Sequence, residues 1–186
     1  MHNILIVWRD GRDVLISLYF HSLFQNDIGN ALLVKACQRE LNFQDYNDIQ
    51  ANLSRFMEYV FERKQHPKIS WVDFVNKWGN CECCEHVKYE NLRANPVEEL
   101  QRVVISLSGN KITQQAAEKI VDKFSFKKMA GRKPGDEKKQ SFLRKGIVGD
   151  WKNYFSNEHK QLFNSYAGNA LIKTGYEVDD SWVTNK

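Results

Sequence analysis

The chain has 186 residues, of which 42% are hydrophobic and 27% charged, and its net charge is +4. This length can bury a real core in one domain, and this balance excludes a disordered chain. No apolar run reaches the roughly 18 residues of a membrane span, residues 4–8 are too short for a secretory leader core, and +4 is too mild by itself to argue for nucleic acid but is compatible with a small anionic ligand held locally.

In chain order, Ile4-Leu5-Ile6-Val7-Trp8 is a continuous apolar run of the kind found in buried parallel strands. It ends in Arg9-Asp10-Gly11-Arg12-Asp13, after which Leu15, Leu18 and Ser22 recur at helical spacing. Asp10 and Asp13 stand three apart, as an N-cap and its reciprocal acid do. This is strand, tight turn, helix, and ligands of open α/β sheets bind outside the carboxyl ends of the strands. Arg9 sits at such an end and Ser17 lies early in the helix. Salt bridging with Asp10 and Asp13 is the competing role for Arg9 and Arg12, and helix packing is the competing role for Ser17.

Residues 32–39 read as helical or irregular. Ile49, Leu53, Phe56 and Val60 mark an amphipathic helix that ends by Pro67. Ser70 and Asp73 form a capping box for a short helix whose stripe is Trp71, Phe74, Val75 and Trp78, with Gly79 at its end. Both tryptophans are read as packing residues. A second short strand is expected over residues 81–89 and brings Tyr89 to a strand end. Asn95-Pro96 opens the next helix, with Glu98 and Glu99 in its first turn and Gly109 at its stop. Thr113 caps another, and Ser156 caps the last. Strands that lead into turns and helices indicate α/β layering, and two strands are too few for so many helices, which suggests that part of the sheet is missing.

Four cysteines are present, at 37, 81, 83 and 84. Cys81, Cys83, Cys84 and His86 lack the paired gaps of structural zinc sites, and alternate strand residues point to opposite faces. No metal site is expected, and reduced thiols in a cytoplasmic protein are.

Toward the C-terminus, Phe124-Ser125-Phe126-Lys127-Lys128-Met129 combines aromatics, a hydroxyl and a methionine able to wrap a purine. Residues 130–140 form a charged loop of a length often found in lids. Arg144-Lys145-Gly146-Ile147-Val148-Gly149-Asp150-Trp151-Lys152 then places three cations and two glycines within nine residues. Glycine lets backbone approach a ligand, and Arg and Lys suit phosphate as a planar fork and a point charge. An exposed basic loop is the alternative reading of this stretch.

Together these stretches resemble the soluble sulfotransferases, which use 3′-phosphoadenosine 5′-phosphosulfate (PAPS) as sulfuryl donor. Arg9 to Ser17 resembles that family's R-[ND]-P-[KR]-D-x-x-x-S stretch, with Gly11 where proline is usual. Lys88-Tyr89-Glu90-Asn91-Leu92 resembles [RK]-Y-E-[DN]-[LM]. Phe124 to Met129 resembles T-S-F-x-x-M, with Phe124 in place of the threonine. Phe142 to Asn153 resembles F-x-R-K-G-x-x-G-D-W-K-N closely.

The resemblance implies an α/β, P-loop-NTPase-like three-layer fold with a central parallel sheet, incomplete at the N-terminus. It implies a partial sulfotransferase domain over residues 1–176 and a tail over 177–186. It implies a 3′-phosphate site from Arg9, Ser17, Arg144, Lys145 and Gly146, and an adenine site from Tyr89, Phe124, Ser125, Phe126 and Met129. PAPS is the implied co-substrate and 3′-phosphoadenosine 5′-phosphate (PAP) the product, with no metal. The implied partner is a small-molecule hydroxyl or amine acceptor, with no nucleic acid and no membrane span, and a homo-oligomer is compatible with it.

The family's 5′-phosphosulfate loop and its catalytic histidine both precede the Arg9 motif, and both are expected upstream of Met1. None of His2, His21, His66, His86 and His159 fits the histidine's role, so no catalytic residue is assigned and the chain alone is expected to be inactive. Two alternatives remain. One is a non-catalytic truncated nucleotide-binding protein. The other is a nucleic-acid binder using Lys127, Lys128, Arg132, Lys133, Lys138 and Lys139, against which stand the interleaved acids and the lack of a stacking pattern.

Overall fold

β1 (Ile4–Trp8) and β2 (Cys84–Lys88) pair in parallel, with Ile4 opposite Cys84 and Trp8 opposite Lys88. A computed structural model describes residues 4–63 and 67–184. Met1, where the expected partial domain begins, lies outside the described residues, as do His2 and His66. The chain folds as two units.

The first unit takes in residues 4–9, 80–137 and 145–148 of the described chain. It holds β1 and β2 with four helices: α5 (Tyr89–Ala94), α6 (Pro96–Ser108), α7 (Gln114–Lys123) and α8 (Phe126–Ala130). Their starts follow from local chemistry. Pro96 sits in the first turn of α6, Thr113 accepts from the Ala116 amide at the start of α7, and Gly109 closes α6 in the left-handed region. The apolar core is small: Ile6, Trp8, Cys84, Val87, Val103, Ala117 and Phe126.

β1 is not buried on both faces, contrary to the expectation from its unbroken apolar run. Ile6 and Trp8 are buried, whereas Leu5 is 37% and Val7 47% exposed. Side chains alternate across a strand, and only one face of β1 is covered among the described residues. β2 also begins later than the expected span. Residues 81–83 form a turn, closed by the Cys84 amide donating to the Cys81 carbonyl at 3.1 Å.

The second unit takes in residues 10–79, 138–144 and 149–184 of the described chain. Its helices are α1 (Gly11–Leu23), α2 (Ala31–Leu41), α3 (Ile49–Glu58, continued by a π turn to Arg63), α4 (Trp71–Trp78) and α9 (Asn157–Lys173). The core is built on Tyr19, Phe56, Phe163, Ile16, Leu23, Leu53, Met57 and Leu171, each less than 2% exposed. Fully burying one such side chain stabilises by roughly 1.5–3 kcal/mol. The Tyr19 hydroxyl donates to the Tyr46 carbonyl and accepts from Asn52 Nδ2, both at 2.9 Å. Burial pushes its pKa up to about 12.

The Ser70–Asp73 capping box forms as expected, and Ser156 caps α9 with His159 as the reciprocal partner. Trp71 packs where the sequence puts it: a Cβ on Gly11 would come within 2.6 Å of its ring. Close helix packing therefore accounts for glycine at position 11. The last described residues belong to this unit, where Trp182 is buried and stands edge-on to Trp151 at 6.0 Å.

Candidate functional site

In the first unit, the parallel register sets Arg9 and Tyr89 side by side, each one residue past the carboxyl end of its strand. The Arg9 guanidinium carbon lies 5.0 Å from the centre of the Tyr89 ring. A cation over an aromatic face at this distance is attracted by the ring quadrupole. Ligands of open α/β sheets bind at this end of the strands.

Lys145 and Gly146 belong to the same unit. The Lys145 carbonyl accepts from the Gly135 amide at 2.8 Å, and the Gly146 carbonyl accepts from Arg93 Nη2 at 3.0 Å. Gly146 has φ +64°, and a Cβ there would come within 2.3 Å of the Phe126 ring. Both the backbone conformation and the packing therefore demand glycine. Phe126 is only 7% exposed, and the Arg132 guanidinium lies 5.0 Å from its ring centre. Phe126 thus supports the Gly146 backbone by packing against it. Its neighbours differ, since Phe124 is 60% and Met129 56% exposed, with Lys123 Nζ 5.5 Å from the Phe124 ring. Ser125 caps α8 by accepting from the Lys128 amide. Eight of the ten candidate residues thus fall in this unit: Arg9, Tyr89, Phe124, Ser125, Phe126, Met129, Lys145 and Gly146.

Ser17 and Arg144 fall in the second unit. Ser17 is half-buried on α1. Arg144 pairs with Asp150 at 2.5 Å and covers the Phe20 ring at 4.1 Å, with only 10% of its side chain exposed. The same unit holds a buried charged framework. Asp13, 1% exposed, accepts from the Gly149 amide at 2.7 Å and the Trp151 amide at 3.0 Å. Asp10 takes Arg12 through both carboxylate oxygens, at 2.9 Å from Nε and 2.7 Å from Nη2, and Glu177 accepts from Nη1 at 2.5 Å.

The Arg12 guanidinium is held between Trp151 (4.1 Å) and Trp182 (4.7 Å). Burial pulls its pKa down, but hydrogen bonds and charge from Asp10 and Glu177 outweigh this and hold it above the ordinary arginine value. The sequence pairs Arg12 with Asp10 correctly, but it reads Asp13 only as the reciprocal acid of the Asp10 cap or a salt-bridge partner and not as the acceptor of the Gly149 and Trp151 amides. It gives no role to Asp150 and does not reveal Glu177. Nor does it single out Arg93, which ties down Gly146. A signal for Arg93 exists, since it lies one helical turn beyond Tyr89.

The three described histidines have local bonds. His21 Nδ1 lies 3.1 Å from Asn26 Nδ2. His86 Nδ1 accepts from Trp8 Nε1 at 2.8 Å, and His159 Nδ1 accepts from the Ser156 amide at 3.1 Å. Burial lowers the His159 pKa below its ordinary value.

The parallel strands thus place a cation and an aromatic ring at their carboxyl ends, where open α/β sheets bind ligands. Comparison with known proteins narrows this. The sequence matches the family described as "Sulfotransferase domain" over residues 2–175, and the chain belongs to that family. It is 30% identical to human Sulfotransferase 1C2 over 139 residues, covering 66% of this chain and 46% of that protein. It is 28% identical to Sulfotransferase 1B1 of Mus musculus over 183 residues, covering 91% and 54%.

The chain therefore spans about half the length of the curated relatives it matches. Among solved structures, mouse sulfotransferase SULT7A1 complexed with PAP superposes with a TM-score of 0.64 at 19% identity, over 91% of this chain and 58% of that one. The fold is that of the sulfotransferases, as the sequence motifs imply. No helix among the described residues is long and apolar enough to cross a membrane.

Proposed function

We propose that this chain carries the nucleotide-recognition part of a PAPS-dependent sulfotransferase, which transfers a sulfuryl group to a hydroxyl or amine of a small acceptor. The observation that carries this reading is the pairing of Arg9 with Tyr89 at adjacent strand ends, in the unit that also holds Lys145 and the Gly146 turn. Arg9, Lys145 and the Gly146 N–H take the 3′-phosphate. Tyr89, Phe124 and Met129 take the adenine through exposed or half-exposed faces, Ser125 supplies a polar contact, and Phe126 supports the turn from below.

Ser17 and Arg144 belong to the other unit, and a phosphate role for them rests on the family resemblance alone. In the transfer itself a base removes the acceptor proton while cations and backbone donors stabilise the transferring group and the leaving phosphate. Among the described residues His21, His86 and His159 are engaged in local bonds and none is proposed as that base, so the reading expects the chain alone to bind the nucleotide without transferring the sulfuryl group.

The test is titration calorimetry with PAP on the full chain and on Lys145→Ala. A charge-assisted hydrogen bond contributes roughly 1.5–3 kcal/mol, so the variant binds PAP at least about tenfold more weakly. Unchanged affinity in Lys145→Ala, or turnover of PAPS with a phenol by the chain alone, contradicts the reading.

A further inference from the structure

The turn between α4 and β2 gathers sulfur. The Sγ atoms of Cys81, Cys83 and Cys84 all lie within 4.8 Å of one another. Strand geometry would send alternate side chains to opposite faces, but residues 81–83 are a turn, and a turn lets three closely spaced side chains converge. Cys81 and Cys84 also stand in the C-x-x-C spacing of many thiolate sites, a signal hidden when the four residues are taken as one strand. In the structure Cys81 and Cys84 are joined as a disulfide, and the exposed Cys83 Sγ lies 3.1 Å from Cys81 Sγ. The expectation of reduced thiols is corrected to this extent.

His86 orients the turn and is not a ligand in this arrangement. Its Nδ1 accepts from Trp8 Nε1, a group that can only donate. The ring proton is thereby assigned to Nε2, which faces the Cys81 carbonyl at 3.0 Å. The Trp8 and His86 rings stack nearly parallel, 5.6 Å apart. The carbonyl that closes the turn is thus held by the Cys84 amide and by a histidine anchored to β1. Supporting bonds of this kind fix the ligands around protein-bound metals.

We propose that Cys81, Cys83 and Cys84 in their reduced state form a three-thiolate site for a soft or borderline cation of the Zn²⁺ or Cu⁺ class. Soft sulfur ligands select such ions over Mg²⁺ and Ca²⁺. A dithiol reductant supplies the two electrons and two protons that open the Cys81–Cys84 bond and leaves as its own disulfide. The cation then displaces a proton from each of the three thiols, so binding weakens as pH falls. The disulfide and the metal are mutually exclusive occupants of the same sulfurs.

The test uses the full chain reduced with a phosphine under argon and titrated with CdCl₂, read by the thiolate-to-metal charge-transfer band in the near ultraviolet. The expected result is a saturable band at one ion per chain that an excess of Mg²⁺ or Ca²⁺ leaves in place. Cys83 is exposed on a turn, so Cys83→Ser should fold normally, and it should bind at least roughly tenfold more weakly, the lower end of what losing a metal-supporting group costs. The oxidised chain, which keeps Cys37 and Cys83 as thiols, should give no band. The proposal is overturned by the absence of a saturable band in the reduced chain, by an unchanged midpoint in Cys83→Ser, or by an equal band from the oxidised chain.

Discussion

The nine residues from Arg144 to Lys152 are divided between two settings, and the contrast explains their chemistry. Lys145 and Gly146 belong to a unit with a small core and several exposed apolar and basic groups, including Phe124 and Met129. Arg144, Asp150 and Trp151 belong to a unit with a large aromatic core, where charges are buried against one another. Motif residues in the second unit are chiefly structural. Asp13 fixes the amides of Gly149 and Trp151, Asp150 holds Arg144, and Trp151 covers Arg12. On the proposed reading, family motifs mix residues that hold the scaffold with residues left to meet a ligand.

The contrast is broken most severely at Asp13. Asp13→Ala leaves two backbone amides without their acceptor; each orphaned buried donor costs roughly 1–3 kcal/mol, so about 3 kcal/mol of stability is expected to be lost in urea unfolding. A loss no larger than that of an ordinary surface substitution would show that the framework is not structural.

Gly146→Ala is next. It forces a side chain into a positive φ and onto the Phe126 ring, and should cost about 2 kcal/mol from strain and overpacking together. Pairing it with Phe126→Leu should recover part of that cost, and strict additivity of the two changes would deny that they share a contact.

His159 gives a smaller effect that depends on pH. Burial favours its neutral ring, so its folded pKa lies below 6.5. The unfolded chain takes up the proton first as pH drops. Stability present above pH 6.5 is therefore lost as pH falls through the folded value, and His159→Gln should flatten that fall in thermal melts between neutral and mildly acid buffers. The smallest stability change is expected at Phe124→Ala, within about 0.5 kcal/mol as for exposed sites. Its PAP affinity should nevertheless drop, and a variant that loses stability while keeping its affinity would reverse the assignment.

Much of the scaffold is legible in the sequence because it rests on local chemistry. The Ser70, Thr113 and Ser156 caps, Pro96 in the first turn of α6 and the Gly109 stop each depend on neighbours within a few residues. What escapes depends on residues far apart in the chain. Nothing local shows that the Asp13 carboxylate meets backbone 136 residues later, or that Glu177 reaches Arg12. The sequence overstates the burial of β1 because an apolar run cannot report whether both faces are covered. The sulfur cluster stays hidden because residues 81–83, a turn, carry the look of a strand.

The central claim is that this chain distinguishes its nucleotide by the 3′-phosphate, through Arg9, Lys145 and the Gly146 turn. The most direct measurement compares the affinities of PAP and adenosine 5′-monophosphate for the full chain at fixed ionic strength. The account predicts that PAP binds more tightly by at least about tenfold, one charge-assisted hydrogen bond or more, and that the difference shrinks in Arg9→Ala. Equal affinity for the two nucleotides would contradict it.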